Sequence, residues 1–173
     1  LSKEGHLERQ DLAKLGKAEY DISLRIMKEH EVICTTCVAS ADPRLSTLQF
    51  PIVLVDEATQ SIEPEGILPL LKKAEQVVLI GDHMQLGPVV MSTDAARAGL
   101  RQSLFERMIK LGISPIRLQT QYRMHPELSI FSSETFYEGG LQNGVSSLQR
   151  KDNTLDFPWP NPAKPLLFWH VIG

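Results

Sequence analysis

The sequence lacks several features that would place it in common functional classes. It contains no G-x-x-x-x-G-K-S/T phosphate loop, since its one Gly-Lys step, Gly16-Lys17, is followed by Ala18. No apolar run approaches the roughly 20 residues needed to span a bilayer, and no signal-peptide pattern opens the chain. The net charge is -3, so the chain has no overall basic character. We therefore expect no membrane association, and any nucleic-acid binding must come from a local groove.

Cysteine is also scarce, and the two that are present, Cys34 and Cys37, have the C-x-x-C spacing of zinc and thioredoxin-like sites. Zinc normally takes four ligands, and the sequence has no second C-x-x-C and no closely paired histidines. Residues 32–38 are rich in β-branched side chains and predict a strand, on which positions three apart face opposite sides. We expect two structural cysteines in a protein of a reducing compartment.

Two short apolar runs, residues 52–55 and 77–80, are each followed directly by polar residues. Runs of this kind predict strands buried on both faces of a parallel sheet, whose ligands bind beyond the carboxyl ends of the strands. Asp56 and Glu57 follow the first run. Adjacent carboxylates at this edge suit Mg-nucleotide hydrolysis, because one can hold the metal while the other polarises the attacking water.

The rest of the chain alternates between predicted helices and strands, which favours an α/β fold. Leu12, Leu15, Ile22 and Ile26 form one stripe of the first helix and are expected to pack on a neighbour. Pro69 should shorten the second helix, Gly99 should interrupt the third, and Leu104, Met108 and Leu111 should face inward. The predicted helices are 1–31, 61–73, 94–110 and 126–136, the further strands are 116–119 and 166–172, and 150–165 is an irregular loop.

Three polar clusters occur in a fixed order: residues 56–60 (D-E-A-T-Q), 81–88 (G-D-H-M-Q-L-G-P) and 121–126 (Q-Y-R-M-H-P). Together they resemble motifs II, III and IV of superfamily 1 helicases. The resemblance extends over nearly the whole chain and is to the up-frameshift RNA helicases of nonsense-mediated mRNA decay. It is carried by residues 32–38 (V-I-C-T-T-C-V), 41–45 (A-D-P-R-L), 87–90 (G-P-V-V), 102–107 (Q-S-L-F-E-R) and 136–145 (F-Y-E-G-G-L-Q-N-G-V).

The resemblance implies a RecA-like (P-loop NTPase) helicase core, in which two domains clamp ATP and move 5′→3′ along single-stranded RNA. It implies a charged, stalk-like helical region at 1–31, a partial first RecA-like domain at 32–115 and the start of the second at 116–173. Because the phosphate loop is missing, we expect this chain to be a segment of a longer protein. That protein would be cytoplasmic and would act with nonsense-mediated decay and translation-termination factors.

The resemblance also implies roles for residues of the first domain. Asp56 would coordinate Mg²⁺ and Glu57 would activate water. Gln85 would sense the γ-phosphate of ATP. Gln60 would hydrogen-bond the nucleotide or a bound water, although an isolated glutamine at this position is more often structural.

Three further residues receive roles in the same way. Arg123, from the second domain, would reach the γ-phosphate, and Tyr122 would stack on adenine, with inward packing as its alternative. Thr36 would contact the RNA backbone, unless it is an ordinary strand threonine. His125, just before Pro126, is better explained as a helix cap than as a ligand.

Two other functions stay open on the sequence. One is a sister superfamily 1 helicase that acts on DNA or on RNA–DNA hybrids, although residues 32–38 and 141–145 favour the decay enzyme. The other is a non-catalytic, nucleic-acid-binding relic without a phosphate loop. Under either enzymatic hypothesis the segment alone is expected to be inactive, because nothing in it cradles the β- and γ-phosphates.

Overall fold

The computed structural model describes residues 9–151, 157–161 and 164–172, with side chains from residue 11 onward. The chain forms two compact units, Leu1–Ser114 and Pro115–Gly173. In each unit two parallel strands are joined through a helix, so the α/β class is confirmed. Within the described ranges no helix has both the length and the apolarity that crossing a membrane requires.

The first unit opens with helix α1 (Arg9–Glu29), as predicted, while residues 1–8 lie outside the described part of the chain. The prediction that its Leu12–Ile26 stripe is buried is wrong, because all four stripe residues are about half exposed. The element that α1 contacts most is the 3₁₀ turn Pro43–Leu45, and three residues are too few to cover a helix of 21. The less exposed side chains are those of Ser23, Leu24 and Met27, toward its C-terminal end.

The strand predicted at 32–38 is not formed, and this prediction is wrong. Among the described residues no strand pairs with this stretch, and Val32 is exposed, so β propensity alone has not produced a ladder. Two 3₁₀ turns follow, Ala39–Ala41 and Pro43–Leu45. Asp42 caps the second turn, and the adjacent Arg44 guanidinium holds the pKa of its carboxyl at about 2.

Strands β1 (Ile52–Val55) and β2 (Gln76–Leu79) are parallel, as predicted, with Ile52 opposite Gln76 and Val55 opposite Leu79. Val53 and Val55 are buried with Ala58 and form the core. The prediction of burial on both faces is wrong, because Ile52 and Leu54 are 57% and 63% exposed. The side chains that pack against this core cover one face of the pair: Cys37, Phe50, Leu70, Ala74, Leu79 and Phe105.

Helix α2 (Glu63–Ile67) has a proline in its first turn, and Pro69 converts its continuation into the 3₁₀ turn Leu68–Leu71, as predicted. The predicted third helix is divided into α3 (Thr93–Ala95), a π-helical turn (Ala96–Leu100) and α4 (Leu104–Lys110). The interruption falls at Gly99, as expected. Leu104 is buried and Met108 partly buried, but Leu111 is exposed, so that inward-facing assignment is wrong.

In the second unit, β3 (Thr120–Gln121) and β4 (Gln142–Asn143) are parallel, and β4 was not predicted. Helix α5 (Pro126–Phe136), which lies between them in sequence, forms as predicted. The strand predicted at 116–119 is wrong, because β3 begins at residue 120 and the preceding residues are exposed. No strand forms at 166–172 either, since no described segment pairs with it. Of the predicted loop 150–165, residues 152–156 and 162–163 lie outside the described residues.

Replacing Ser103 with Ala should destabilise the first unit by about 1 kcal/mol, the usual value of a lost N-cap. Ser103 is 1% exposed, and its hydroxyl accepts a hydrogen bond from Glu106 N at 3.1 Å at the start of α4. The measurement is urea denaturation of the 173-residue chain. Ser92→Ala, which removes the exposed cap of the three-residue α3, is the control and should cost less. If Ser103→Ala lowered the free energy of unfolding no more than Ser92→Ala does, the assigned cap would be contradicted.

Candidate functional site

Two carboxylates follow β1 on a tight turn at its carboxyl end. Glu57 adopts the left-handed conformation, with φ 51°, which is uncommon for a residue other than glycine. Its backbone N–H donates to Asp56 Oδ1 at 3.0 Å, and both side chains are exposed. The strain of such a conformation is on the order of 1–3 kcal/mol, and residues that bear it cluster at functional sites.

The turn is fixed to the end of β2 by backbone hydrogen bonds. Ile80 N donates to Val55 O at 2.8 Å, and Ala58 N donates to Ile80 O, also at 2.8 Å. The parallel ladder therefore continues past the last strand residues into the acidic turn. The positions of Asp56 and Glu57 are consequently set by the register of β1 on β2.

The second polar cluster meets the first at Gly81. A Cβ atom at Gly81 would lie 3.0 Å from Thr59 Cγ2 and 3.1 Å from Thr59 N, so a larger residue would push the two loops apart. The structure thus brings residues 56–60 and the loop that starts at Gly81 together at one sheet edge, as the sequence predicts for strand ends.

The polar side chains of this edge are held by local hydrogen bonds. Gln60 Nε2 donates to Glu57 Oε2 at 3.1 Å. Gln85 Nε2 donates to Asp82 Oδ2 at 2.8 Å, and Met84 N donates to the other oxygen of Asp82 at 3.0 Å. Each glutamine therefore orients, or is oriented by, a carboxylate of its own loop.

Asp56 fits one ligand position of a magnesium site. Mg²⁺ is usually held by one or two carboxylates together with waters and substrate phosphates, so one exposed carboxylate beside the nucleotide is sufficient from the protein. No group of three or more His, Cys, Asp or Glu side chains suited to holding a metal occurs among the described residues.

In the second unit, Tyr122 and Arg123 follow β3 directly, and both are exposed. Tyr122 is 63% exposed, which excludes the inward-packed alternative. Its ring lies against the backbone of Gly144, and its carbonyl oxygen accepts a hydrogen bond from Arg150. His125 is buried, and its Nδ1 accepts from Glu127 N at 3.2 Å, so the expected helix cap is confirmed.

Thr36 lies in the extended stretch before the first 3₁₀ turn and is exposed. Its Oγ1 accepts a hydrogen bond from Ala39 N at 3.1 Å, and its carbonyl oxygen accepts one from Ser40 N at 3.0 Å. It is therefore a turn-capping threonine, and the alternative of an ordinary strand threonine is wrong. Nearby, Cys34 is exposed and Cys37 partly buried, and both are free thiols.

Sequence reasoning gave no individual role to three residues that support the third cluster, residues 121–126. Gln121 and Asn143 share a hydrogen bond of 2.6 Å, and Gly144 supports the Tyr122 ring. Gln121 was part of a motif but carried no individual role. The signal that could have found the others is Asn-Gly at 143–144, a turn-type pair that begins in the last residue of β4.

Comparison with known proteins places these residues in a family. One AAA domain family matches residues 2–93 and a second matches residues 100–173. The chain is 52% identical over 169 residues to the Regulator of nonsense transcripts 1 homolog of Neurospora crassa, covering 98% of this chain and 16% of that protein.

Two yeast proteins match similarly. The ATP-dependent helicase upf1 of Schizosaccharomyces pombe is 52% identical over 172 residues, which cover 99% of this chain and 19% of that protein. The ATP-dependent helicase NAM7 of Saccharomyces cerevisiae is 50% identical over 169 residues, which cover 98% of this chain and 17% of that protein. The chain therefore spans less than a fifth of the length of these relatives.

The family matches and the geometry agree on where the polar clusters lie. The first match contains the acidic turn and the Gly81 loop, and the second contains Tyr122 and Arg123. The resemblance inferred from the sequence is confirmed by relatives of about half identity over nearly the whole chain. The chain belongs to the AAA domain family, and within it is similar to the regulators of nonsense transcripts.

Proposed function

We propose that this chain is a segment of an ATP-dependent RNA helicase that acts in nonsense-mediated mRNA decay. The observation that carries the proposal is the turn of Asp56 and Glu57, presented at the carboxyl edge of β1 and tied to the end of β2. Relatives named ATP-dependent helicases share about half of the residues of this chain. The two units would belong to two RecA-like domains of the full-length protein.

Glu57 is the proposed general base. Its carboxylate is exposed and is oriented by the Gln60 amide, which leaves one oxygen outside that hydrogen bond to accept a proton from water. Asp56 would hold Mg²⁺, which, when bound with ATP, neutralises the phosphate charge. The two carboxylates have different hydrogen-bond partners, since Asp56 Oδ1 accepts from Glu57 N and Glu57 Oε2 accepts from Gln60 Nε2.

Gln85 is the proposed γ-phosphate sensor. Its amide donates to Asp82 at 2.8 Å, so a phosphate oxygen would compete with a carboxylate for this group. Loss of the γ-phosphate would return the amide to Asp82 and would restore the 82–85 turn, which is also held by the bond from Gln85 N to Asp82 O at 3.1 Å. The switch thus depends on one side-chain hydrogen bond.

The second unit would supply Tyr122 to stack on adenine and Arg123 to meet charge that develops on the γ-phosphate. An arginine in this role contributes on the order of 10³–10⁵ in rate. Thr36, exposed at the start of a 3₁₀ turn, would contact the backbone of single-stranded RNA. We further propose 5′→3′ movement, a cytoplasmic location and partners among decay and translation-termination factors.

The runner-up is a helicase of the same superfamily that acts on DNA or on RNA–DNA hybrids, and it would use the same nucleotide residues. The names of the relatives, which refer to nonsense transcripts, favour RNA. A relic without catalysis is less well supported, because relatives of about half identity over nearly the whole chain are named ATP-dependent helicases.

Glu57→Gln in the full-length protein should lower ATP turnover by at least about 10²-fold, the usual scale for loss of a general base. ATP binding should persist, since Asp56 is intact and glutamine can still accept from Gln60. Turnover is measured by phosphate release and binding by a fluorescent nucleotide. Glu75→Gln, an exposed change just before β2, is the matched control and should behave as wild type. Near-normal turnover of Glu57→Gln would leave Glu57 a structural carboxylate.

Arg123→Ala should depress ATP hydrolysis by about 10³-fold or more while ADP affinity changes little, because ADP lacks the γ-phosphate. Arg123→Lys should restore only part of the rate, since a point charge does not reproduce the guanidinium fork. Single-turnover hydrolysis and ADP titration measure the two quantities, with Arg97→Ala as an exposed control. Equal losses of ADP and ATP binding would show that Arg123 supports the fold instead.

The 173-residue chain alone should show no measurable ATPase activity, with or without RNA. It has no phosphate loop, and so lacks the lysine of that loop, which would offset the repulsion between the triphosphate and the carboxylates of Asp56 and Glu57. The exposed Ile52 and Leu54 should also make it prone to association. Phosphate release under saturating RNA is the assay, with the full-length protein alongside. Turnover within about tenfold of that protein would mean that the phosphate-binding site is misplaced.

A further inference from the structure

The side chain of Gln121 makes four hydrogen bonds at the segment that carries Tyr122 and Arg123. Its Oε1 accepts hydrogen bonds from Arg123 N at 3.0 Å and from Met124 N at 2.8 Å. Its Nε2 donates to Met124 O at 3.0 Å and to Asn143 Oδ1 at 2.6 Å. An amide group has two donors and about two acceptor positions, so all of its capacity is used here.

The orientation of this amide is fixed by its partners. The acceptor end meets two backbone N–H groups, which can only donate, and the donor end meets two oxygens. A flipped amide would place donors against donors and oxygen against oxygen. The backbone after β3 therefore has one favourable path, and it places the side chains of Tyr122 and Arg123 toward solvent.

Asn143 connects this clasp to the rest of the second unit. It is opposite Gln121 in the parallel pair of β3 and β4. Its Oδ1 also lies 2.8 Å from the hydroxyl of Ser129, which is buried on α5. The position of the Arg123 turn is thus set by β4 and α5 together.

Gly144, the residue after Asn143, fixes the Tyr122 ring. A Cβ atom at Gly144 would overlap the ring, with Cδ1 at 2.6 Å and Cζ at 2.7 Å. The backbone of Gly144 cannot easily withdraw, because its N–H donates to Gln121 O at 2.9 Å. Its φ is not in the left-handed region, so alanine would be penalised by the ring contact alone.

We propose that Gln121, Asn143 and Gly144 form a positioning cluster that presents Tyr122 and Arg123 to a nucleoside triphosphate. The cluster has two separable parts, a surface at Gly144 that orients the ring and a clasp at Gln121 that orients the arginine turn. This inference rests on the proposed function, because that function assigns the nucleotide as the ligand of Tyr122 and Arg123. None of the three residues needs to touch that ligand.

The ring surface is tested with Gly144→Ala in the full-length protein. It should raise KM for ATP about tenfold, the scale of a lost aromatic–base stack, with kcat within about twofold. In a Tyr122→Ala background, the same change should have no further effect, because the group that it collides with is gone. Gly16→Ala, where a Cβ meets nothing within 4 Å, is the matched control.

Three results would overturn this part of the proposal. One is an unchanged KM for Gly144→Ala while Tyr122→Ala raises it. Another is a rise in KM for Gly144→Ala that persists in full in the Tyr122→Ala background, because a general loss of stability would then explain the rise. A third is an unchanged KM for Tyr122→Ala in an active protein, since the direction of the ring would then not matter.

The clasp is tested with Gln121→Leu, which keeps the approximate volume and removes all four hydrogen bonds. In the 173-residue chain, without nucleotide, the amide protons of Arg123 and Met124 should exchange about tenfold faster or more. In the full-length protein kcat should fall while ADP affinity is retained, with no further loss in an Arg123→Ala background. Gln142→Leu, an exposed neighbour on β4, is the control.

Unchanged exchange in Gln121→Leu would overturn the clasp, and so would altered exchange with wild-type kcat. Failure of the proposed function has a different signature. A full-length wild-type protein without ATP turnover would refute the nucleotide role itself, and with it any positioning toward a nucleotide. An active wild type with silent Gly144 and Gln121 variants would refute only the positioning cluster.

Discussion

The register of β1 on β2 is the constraint on which the first unit depends. The ladder does not end with the strands, because Ile80 N bonds Val55 O and Ala58 N bonds Ile80 O. The residue after each strand is therefore fixed as firmly as the strand itself. A slip by one residue would turn Val53 and Val55 away from the core and would carry the acidic turn away from Gly81. Packing and site geometry are thus set by one pairing.

This dependence explains which sequence predictions succeeded. The successful predictions rest on local sequence signals and on packing partners that lie nearby in the chain. They are the strands at 52–55 and 77–80, the helix from Pro126 and the break at Gly99. The strands expected at 32–38 and 166–172 also have β propensity, but no described segment pairs with them. Of the strand expected at 116–119, only Gln119 bonds to β4, through its carbonyl oxygen and Gln142 N. A strand is stabilised by its neighbour, and propensity within one segment contains no information about whether that neighbour is present.

Burial was the property least accessible to the sequence. Ile52 and Leu54 are as apolar as Val53 and Val55, and nothing in the run distinguishes the covered face from the bare one. The same holds for Leu12 and Ile26 on α1, which lie on a regular stripe that little covers. An apolar pattern states which surface a chain can bury. Whether it does so depends on what packs there, and this chain spans less than a fifth of its relatives.

The candidate site was recognisable because its reactive groups are of unusual type and order, whereas its supports are ordinary residues. Each of two glycines has no room for a side chain because of a residue far away in the sequence. Gly81 lies against Thr59, and Gly144 lies against the Tyr122 ring. That only glycine fits at these two positions can be seen from the three-dimensional structure but not from the sequence. In both units a glycine at the end of a strand lets a functional loop approach its neighbour closely. In each unit, side chains with a proposed role are therefore oriented by the same device, a close contact at a glycine beside a two-stranded parallel ladder.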